Sequence, residues 1–496
     1  MLRIGEDSPS ARVRGRLNHP VVDADAHWLE SIPVFFDYLR NVGGQSMVDD
    51  LLEILHAPDR WYAASPEERR KARMGRANSW QGPGLTLDRA TSMIPRLMHE
   101  RLDEFGIDFA IVYPTLALGG FQFEHRSADF RRCCVRAYNT MVAEMFRPYR
   151  DRITAAGIIP TVTPQEGIDE AEYMVRELDL KVGMLRGTLQ RTVEADAEWQ
   201  PDPSKRRHYF DCLAMDSPYD FDPLWAKMVE LGLAYTTHAG TMGDTASRSS
   251  PSSVVFSRVG HFAQAHHAAA KGLFLGGVTQ RFPQMNFAFL EAGVAWAVNT
   301  FTDLVLIWEK LSRPALEKNL RPANLDQRLL RQLFGDYATD EPLRGNVERI
   351  FAENHLFPYA PYRTPEELTE RDSQWDEFAA ITVNGREDIR RLFVDNFYFG
   401  AESDDPTIRW AFDEKTTEAR FKPIFSSDIS HFDVTDMREV LEEAWELVEH
   451  ELIDESAFRE LTFSNAVALH GRMNPNFFKG TRVETAAAEE LARLKK

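Results

Sequence analysis

The chain has 496 residues, a length that fits two or three ordinary domains or one elaborated α/β barrel. Its hydrophobic content of 43% is enough for a sizeable core. Its formal charge of -19 argues against a nucleic acid as partner, because phosphate binding needs clustered Lys and Arg, and equally against an anionic membrane surface. The first twenty residues lack the apolar core of a secretory signal, and no segment has the roughly 20 apolar residues of a membrane-spanning helix. The three cysteines include an adjacent pair without zinc or redox spacing, which suits a reduced state. We expect a cytoplasmic protein.

The first half of the chain begins irregularly and then alternates strands with helices. Residues 1–19 are polar and aperiodic, which predicts a flexible N-terminal arm, and the first strand follows at 21–27. Residues 30–105, with the Gly- and Pro-rich stretch NSWQGPGLT, predict a long insertion over the barrel mouth. The next elements are the strand IDFAIVYPT, a helix over 128–149, the strand RITAAGIIP, an amphipathic helix over 164–179 and the strand LKVGMLRGT.

The alternation resumes after a polar stretch, EADAEWQPDPSKRR. It continues with the helix DPLWAKMVELG, the strand LAYTTHAG, the helix HFAQAHHAAAKGLFLGG and the strand NFAFLEAG. A second insertion at about 310–390 is charged, helical and interrupted by prolines, and the strands LFVDNFYFG and KPIFSSD follow it. Eight strands with helical crossovers favour a closed (β/α)8 TIM barrel, an α/β fold, with two large insertions and a helical C-terminal extension. We predict one barrel domain over 20–475 and a C-terminal tail over 476–496.

Four polar residues follow apolar strands at one end of this predicted barrel. Asp25 and His27 lie two residues apart in VVDADAHWLE, so their side chains point the same way from an extended strand. His238 ends the fifth strand and Asp428 the eighth. Because the carboxyl ends of barrel strands meet at one mouth, we expect these residues to bind one divalent metal ion, Zn in the first place and Mn or Fe as alternatives.

Each of these residues also has an ordinary structural interpretation. An isolated Asp-x-His pair is often a strand-end turn, a single His238 can be a satisfied core histidine, and Asp428 can cap the next helix. Their joint occurrence at the ends of the right strands is what favours a metal site. With a bound metal, Asp428 could accept a proton from an activated water and pass it to a leaving group.

The sequence resembles the metal-dependent amidohydrolase superfamily, in the branch that includes aminocarboxymuconate semialdehyde decarboxylase. The segments that carry the resemblance lie in the family's order from about residue 20 to residue 470: VVDADAHWLE, IDFAIVYPT, AYNTMVAEM, DPLWAKMVELGLAYTTHAG, GGVTQRFPQMNFAFLEAGVAW, NFYFG, SSDISHFD and SNAVALHG. The resemblance implies a (β/α)8 barrel with one catalytic metal bound by Asp25, His27, His238 and Asp428. It also suggests a homodimer or higher homo-oligomer.

Two positions depart from the family pattern. Hydrolytic members usually begin with His-x-His, whereas decarboxylase members tolerate a carboxylate such as Asp25 in the first place. Decarboxylases of this branch typically have a His at the end of the sixth strand, where this chain has Glu291 in FLEAG. A glutamate with a pKa raised by burial can act as general acid or base, but it cannot replace an imidazole when it is ionised. The missing His therefore favours hydrolysis over decarboxylation.

Further residues are candidates for supporting roles near the mouth. Arg186 could bind a substrate carboxylate through its planar fork, or form an ion pair at the barrel rim. His431, three residues after Asp428, could orient that carboxylate or contact substrate, and Glu30 could hold a metal ligand in place from behind. Trp28, Trp80 and Trp296 are candidates for pocket walls or for core packing. The cluster of His261, His266 and His267 in one helix is interpreted as mainly structural.

We predict a mononuclear metal-dependent hydrolase acting on an amide, an ester or lactone, or an activated C–C bond of a small organic molecule. Asp428, Glu291 and His431 are the expected catalytic residues, and Arg186, Trp28 and Trp296 the expected substrate-binding residues. The alternative is a non-oxidative decarboxylase of an aromatic or unsaturated carboxylic acid. A non-catalytic barrel that serves as a binding subunit is a third hypothesis.

Overall fold

Eight parallel strands form the central sheet of the protein, and each pairs with the next of the eight in chain order. The computed structural model describes residues 7–76, 82–121, 123–193, 208–238, 250–321, 324–353 and 376–494. The central strands are β1 (Val22–Trp28), β2 (Phe109–Pro114), β3 (Ile153–Ile158), β4 (Val182–Leu185), β7 (Tyr235–Thr237), β8 (Phe287–Phe289), β9 (Phe397–Ala401) and β10 (Pro423–Phe425). They are almost completely buried, as expected for parallel strands that are covered on both faces. A separate antiparallel hairpin consists of β5 (Leu189–Thr192) and β6 (His208–Asp211).

The sheet closes where the segment after β10 meets β1. The Asp428 backbone N–H donates to the Asp25 carbonyl at 3.1 Å, and the His27 backbone N–H donates to the Ile429 carbonyl at 2.9 Å. The buried Asp23 carboxylate accepts hydrogen bonds from the Ser427 backbone N–H at 3.1 Å and from the Ser427 hydroxyl. These bonds fix the end of β1 against the segment that carries Asp428.

Helices surround the barrel and fill most of the connections. In chain order they are α1 (Pro9–Arg14), α2 (Ile32–Gly43), α3 (Gln45–Leu55), α4 (Ala57–Ala63), α5 (Pro66–Lys71), α6 (Thr86–Met93), α7 (Pro95–Arg101), α8 (Ala128–Phe146), α9 (Pro164–Arg176), α10 (Asp222–Leu231), α11 (Val254–Arg258), α12 (His261–Leu275), α13 (Val278–Arg281), α14 (Ala295–Leu311), α15 (Arg313–Ala315), α16 (Gln327–Tyr337), α17 (Glu341–Arg344), α18 (Val347–Glu353), α19 (Arg386–Phe393), α20 (Glu414–Thr417), α21 (Val440–Glu449), α22 (Glu455–Arg459), α23 (Asn465–Gly471) and α24 (Glu484–Arg493). Short 3-10 helices span Leu116–Gly119, Arg147–Tyr149 and Pro406–Phe412, and π-helices span Leu316–Leu320 and Glu460–Ser464.

Local sequence signals explain where the crossover helices begin. Ser127 precedes α8, and its hydroxyl accepts from the Phe130 N–H at 3.1 Å. Thr163 caps α9 in the same way, and Pro164 occupies the first helical position, where its missing N–H costs nothing. Helix α8 contains the buried Cys133 and Cys134, which are free thiols. None of the helices in the described part of the chain is long and apolar enough to cross a bilayer.

The predicted barrel class is confirmed: eight parallel strands, surrounding helices and a helical C-terminal region are present. Helices α8 and α9 lie where 128–149 and 164–179 were predicted, although the first ends as a 3-10 turn. The hairpin β5–β6 was missed, because its strands are short and flank a polar stretch. The segment predicted as an N-terminal arm contains α1, whose buried Ser10 hydroxyl accepts from the Leu441 N–H at 3.0 Å. Residues 354–375 of the second predicted insertion lie outside the described residues.

The chain divides into two compact units. The larger one comprises Met1–Asn299 and Arg390–Lys496 and contains all strands of the barrel. The smaller one, Thr300–Ile389, overlaps the predicted insertion at 310–390 and contains α15 to α18. The predicted roles of the two insertions in covering the pocket or forming a subunit interface stay predictions.

Removing the Ser427 hydroxyl should weaken the closure of the barrel. We expect Ser427→Ala to lower the free energy of unfolding by about 1–3 kcal/mol, because the buried Asp23 carboxylate loses a donor that it cannot replace. Urea denaturation measures this. The control is Ser403→Ala, since Ser403 is also buried but its hydroxyl has no hydrogen-bond partner among the described residues. Equal effects of the two substitutions would contradict the assigned role.

Protein stability should also depend on pH through His470, which is buried and stacked on Phe477. Burial lowers the pKa of His470 from 6.5 to about 3, so the unfolded chain binds more protons between these values. This residue's contribution is complete above pH 6.5 and is lost as the pH falls, by about 2 kcal/mol at pH 5. In His470→Gln, the drop in unfolding free energy between pH 7 and pH 5 should shrink by that amount. His56→Gln, a substitution at an exposed histidine, should leave the drop unchanged.

Candidate metal centre

Strand β1 places Asp25 and His27 on the inner face of the barrel. Both side chains are completely buried, and their spacing of two residues gives them the same direction. The Pro114 carbonyl, at the end of β2, accepts a hydrogen bond from His27 Nδ1 at 2.9 Å. This contact places the proton on Nδ1 and leaves the lone pair of Nε2 directed toward the barrel centre, which is the form that binds a metal.

Two other strand ends bring His238 and Asp428 to the same point. His238 Nε2 lies 3.1 Å from His27 Nε2 and 3.5 Å from Asp25 Oδ1. Asp428 Oδ1 lies 3.4 Å from His27 Nε2. All four side chains are buried. The structure therefore brings together the four residues predicted as ligands, which we call the ligand cluster: Asp25, His27, His238 and Asp428.

The donor set of this cluster fits a divalent cation. Both oxygens of Asp25 are buried and accept no hydrogen bond from the residues that the structure describes. Leaving carboxylate oxygens desolvated without a partner is costly, and a cation would compensate that cost. Two overlapping groups each have donor atoms within 4.8 Å of one another: Asp25, His27 and His238 form one, and His27, Glu291, Asp428 and His431 the other. Imidazole nitrogen and carboxylate oxygen together suit Zn, Mn or Fe(II).

Glu291 lies directly beside the ligand cluster. It follows β8, is 3% exposed, and its Oε2 lies 3.3 Å from His238 Nε2. Glu291 and Asp428 have φ angles of 52° and 53°, a left-handed conformation that is uncommon for residues with a side chain. Both turns occur immediately after a barrel strand. The backbone thus departs from extended geometry at two of the three positions whose carboxylates reach the centre, Glu291 and Asp428 but not Asp25.

The carboxylates of the site differ in their affinity for protons. Burial raises the pKa of Glu291 well above its usual range, and the charges of Glu402 and Asp25 add to this. Burial likewise raises the pKa of Asp428, with Glu291 as the strongest charged neighbour. For Asp25, the imidazoles of His238 and His27 outweigh the effect of burial and lower its pKa to about 2. Burial thus favours the protonated forms of Glu291 and Asp428, whereas the two imidazoles favour the ionised form of Asp25.

His431 packs against the ligand cluster. Its Nδ1 lies 2.6 Å from Asp428 Oδ1 and 4.0 Å from Glu291 Oε1. Its ring stacks on that of His27 with 3.8 Å between centroids. Burial lowers the pKa of His431 well below its usual value, and the neighbouring imidazole of His27 adds to this. A neutral His431 beside Asp428 can exchange a proton with it or orient it.

Glu30 supports the site through a loop rather than through a ligand. Its carboxylate accepts backbone hydrogen bonds from Thr115, Leu116 and Ala117 at 3.2, 2.8 and 2.9 Å. These residues directly follow Pro114, the residue whose carbonyl accepts from His27. Glu30 thus fixes the loop that sets the tautomer and the orientation of His27. Through this loop Glu30 would support a metal ligand, which is the role predicted for it.

Two residues that support the site were not predicted. Asp23 precedes Asp25 by two residues, just as Asp25 precedes His27. This two-residue period is the sequence signal that could have revealed Asp23. His266 Nε2 lies 2.7 Å from the Leu290 carbonyl, adjacent to Glu291, and thereby holds the end of β8. The helix pattern indicated a structural histidine but gave no information on its partner.

The three predicted substrate-binding residues do not meet at the ligand cluster. Trp28 is adjacent to His27 and so points outward, where its indole packs against Phe146 and its Nε1 reaches the Tyr138 hydroxyl at 3.5 Å. Trp296 begins α14 within an aromatic cluster with Phe289, Phe399 and His266. Both positions are typical of packing between strands and helices. Arg186 follows β4 and lines a separate cavity, and Trp80 lies outside the described residues.

A cavity of about 410 Å³ opens beside Glu291, and we call it the Glu291 cavity. Phe262 and His261 contribute to its wall, and the Phe262 ring lies edge-on to His238 at 6.3 Å between centroids. Arg258 also lines it, with Nη2 2.7 Å from Asp433 Oδ2. The remaining wall consists of Val259, Gly260, Ala263, Ala292, Gly293, Glu402, Asp404, Asp405 and Asp433. The cavity is large enough for a small organic molecule.

An eight-stranded parallel barrel with buried imidazoles and carboxylates converging at the carboxyl ends of its strands is typical of barrel enzymes, and the converging donors form a candidate metal site. Comparison with known families agrees with this class. Residues 22–320, more than half of the chain, match the family model described as amidohydrolase. The chain belongs to the amidohydrolase family.

Several solved structures are similar to this chain at low sequence identity. An amidohydrolase from Mycobacterium avium subsp. paratuberculosis is 17% identical, with a TM-score of 0.51 over 92% of this chain and 100% of that one. A 5-carboxyvanillate decarboxylase from Novosphingobium aromaticivorans, complexed with manganese and 4-hydroxy-3-methoxy-5-nitrobenzoic acid, is 14% identical, with a TM-score of 0.48 over 92% and 97%. A 2,6-dihydroxybenzoate decarboxylase from Rhizobium is 13% identical, with a TM-score of 0.45 over 91% and 98%. No curated protein matches the sequence.

We expect purified protein to contain one divalent metal ion per chain, measured by inductively coupled plasma mass spectrometry. His27→Ala should lose the metal, because a central nitrogen donor disappears. Glu30→Gln should retain it with about 10- to 100-fold lower affinity, since it loosens only the loop that orients His27. Glu100→Gln, at an exposed position, is the control. Full metal content in His27→Ala would contradict the assignment of the centre.

Proposed function

We propose that this protein is a metal-dependent carboxy-lyase that removes carbon dioxide from a small aromatic or unsaturated carboxylic acid without an oxidant. The proposal is supported by its family, by the buried ligand cluster with a carboxylate in the first ligand position, and above all by Glu291. The sequence alone favours hydrolysis and leaves decarboxylation as the alternative. We propose decarboxylation.

Glu291 is the observation that carries this proposal. In non-oxidative decarboxylation the bond between the carboxyl group and the adjacent carbon breaks, the electron pair stays on that carbon, and the carbon takes up a proton as carbon dioxide leaves. The reaction therefore needs a proton donor next to the substrate. Glu291 is buried and lines the Glu291 cavity, and burial raises the pKa of its carboxyl well above its usual range. A protonated Glu291 could supply this proton to the substrate carbon.

The ligand cluster would hold the metal that such a reaction uses. Asp25, His27, His238 and Asp428 are the residues proposed to bind it. When bound, a divalent cation would neutralise the negative charge of a substrate carboxylate and of an oxygen next to it. The proposed ligands include hard carboxylate oxygens, so Mn and Fe(II) are candidates beside Zn.

The lining of the Glu291 cavity is partly aromatic and largely acidic, with Glu402, Asp404, Asp405 and Asp433 beside Glu291. Phe262 offers a ring face or edge for an aromatic or conjugated body. Among the described residues Arg258 is the single Lys or Arg of this lining and is already paired with Asp433, so the attraction for an anionic substrate would have to come from a cation bound by the ligand cluster. Apolar contact on one side and proton donation on the other would fix the orientation of the scissile carboxyl group.

Hydrolysis is the second candidate function, and His431 is the observation that favours it. The 2.6 Å contact between His431 Nδ1 and Asp428 Oδ1 is a pair that could accept a proton from water and deliver it to a leaving group. The substrates would be amides, esters, lactones or activated C–C bonds next to a carbonyl. In this function Asp428 acts as a base, which the raised pKa of its carboxyl disfavours in the metal-free site.

We expect metal-loaded protein to release carbon dioxide from at least one member of a panel of hydroxybenzoic and conjugated unsaturated acids. Glu291→Gln keeps the shape of the side chain but cannot donate an acidic proton, so kcat should fall by about 10²- to 10⁴-fold. In D₂O, wild-type product should carry one deuterium at the carbon that lost the carboxyl group. Glu100→Gln serves as the control for loss of a surface carboxylate.

A different outcome would favour the hydrolase. Absence of carbon dioxide release across the panel, together with turnover of esters, lactones or amides that requires His431, would refute decarboxylation. Unchanged kcat in Glu291→Gln on a decarboxylated substrate would remove Glu291 as the proton donor.

A further inference from the structure

The Glu291 cavity carries an excess of acidic side chains that the proposed decarboxylation does not explain. Besides Glu291, its described lining contains four carboxyl groups and a single guanidinium group, that of Arg258. Arg258 is already engaged, since its Nη2 lies 2.7 Å from Asp433 Oδ2. The substrate of the proposed reaction is an anion, which uncompensated carboxylates repel. The other three acidic residues, which we call the acidic wall, are Glu402, Asp404 and Asp405.

The acidic wall begins directly after β9 and lies close to Glu291, because β8 and β9 are neighbours in the sheet. The backbone N–H groups of Ala292 and Gly293 both donate to the Gly400 carbonyl, at 3.3 and 2.9 Å. Burial raises the pKa of Glu291, and among the charged groups Glu402 adds most to this shift. The acidic wall and the proposed proton donor therefore border the same cavity.

Asp405 is fixed through one of its carboxylate oxygens. Its Oδ1 accepts from the Thr407 backbone N–H at 2.8 Å and from the Thr407 hydroxyl at 2.6 Å. Its Oδ2 lies against Gly293, where a Cβ would stand 2.6 Å from it, and the φ of 65° at this position also favours glycine. None of the described residues donates a hydrogen bond to Asp405 Oδ2. A carboxylate that is held in place can bind a cationic donor with little loss of conformational entropy.

Glu402 has neither a cation nor a hydrogen-bond donor among the residues that the structure describes. Its side chain is accessible from the cavity that it lines, yet desolvation by the surrounding protein raises its pKa to about 7. The charges of Asp433 and Asp404 add to this increase. Carboxylates that repel one another in this way are stabilised by a bound cation.

Glu291 provides independent evidence that the cavity holds a ligand. Its side chain is 3% exposed and lines the cavity, and its Oε2 accepts no hydrogen bond from the described residues. The nitrogen that lies 3.3 Å from this oxygen, His238 Nε2, belongs to the ligand cluster. A buried polar atom of this kind needs a partner from a bound molecule or from water.

We propose that the substrate acid also carries an alkyl ammonium group, which binds to Glu402 and Asp405 while its carboxyl group faces the ligand cluster. The inference rests on the proposed decarboxylation for the reaction of this acid, whereas the ammonium subsite is a property of the cavity itself. The ammonium group donates to Asp405 Oδ2 and to the Glu402 carboxylate, and the exposed Asp404 adds negative charge nearby. An aromatic amine does not meet this requirement, because it is uncharged at neutral pH.

Isothermal titration calorimetry of the metal-loaded protein with two matched probes tests this subsite. One probe is salicylate with an aminomethyl group para to its carboxylate, and the other has a hydroxymethyl group in the same place. Their affinity ratio measures the effect of the ammonium charge, because size and the carboxylate end are the same. We expect the wild type to bind the aminomethyl probe about tenfold or more tightly, since charge-assisted hydrogen bonds are gained.

Variants assign this preference to the acidic wall. Glu402→Gln and Asp405→Asn should each lower the affinity ratio, and the double substitution should abolish the preference. Asp405→Asn keeps Oδ1 as an acceptor for Thr407, so the local fold is retained. Glu100→Gln removes an exposed carboxylate elsewhere and should leave the ratio unchanged. Glu402→Lys gives a readout that misfolding cannot imitate, because it should bind a carboxymethyl probe more tightly than the wild type does.

Equal affinity of the wild type for the two matched probes overturns the proposal, as does an undiminished preference in the double variant. Binding of a second Mn²⁺ ion to the metal-loaded protein that Glu402→Gln abolishes would also overturn it, since the acidic wall would then serve an inorganic cation. Carbon dioxide release is measured separately. A preference for the aminomethyl probe without carbon dioxide release from any acid leaves the ammonium subsite in place and refutes decarboxylation. Release from acids without an amine, at equal affinity for the two probes, does the reverse.

Discussion

The need to compensate buried carboxylates governs the mouth of this barrel. Asp25, Asp428 and Glu291 converge in a region without solvent, and several of their oxygens have no hydrogen-bond donor among the described residues. Desolvated negative charge at this density is costly, so it must be met by protons or by a cation. The imidazoles of His27 and His238 supply donors for a cation at the same point. This balance explains why one end of the barrel is polar while its strands are otherwise apolar.

The hydrogen bonds around the site act on the backbone more than on the ligands themselves. Asp23 binds Ser427 and so joins the first strand to the last, and Glu30 fixes the loop whose Pro114 carbonyl accepts from His27. His266 holds the carbonyl next to Glu291. Each bond restrains the end of a different strand. Ligands that lie far apart in the sequence thereby acquire a defined mutual geometry, which a metal centre requires.

The barrel and the convergence of its ligands were predictable because both follow from simple periods. Alternation of buried strands and amphipathic helices predicts parallel strands, and a spacing of two puts Asp25 and His27 on one face. The same period of two places Trp28 on the face opposite to His27. The prediction that Trp28 lines the pocket therefore conflicted with the rule that placed Asp25 and His27. By contrast, the left-handed turns at Glu291 and Asp428 and the contact of Glu30 with a distant loop arise from tertiary packing. No local pattern encodes them. The hairpin β5–β6 escaped prediction for a related reason, since its strands are too short to show a period.

Glu291 connects the electrostatics of the site with the choice between lyase and hydrolase. A hydrolase needs a carboxylate that takes a proton from water, and the group best suited to that task is ionised near pH 7. The environment of Glu291 works in the opposite direction, because burial and neighbouring carboxylates raise the pKa of its carboxyl well above its usual range. A metal bound by the ligand cluster would lower the affinity of Asp428 for its proton by direct contact, whereas Glu291, outside the proposed ligand set, would feel a weaker effect. Asp428 would then be an ionised ligand, whereas Glu291 could donate a proton. Such a division of roles between two carboxyl groups is typical of sites that use acid chemistry at neutral pH.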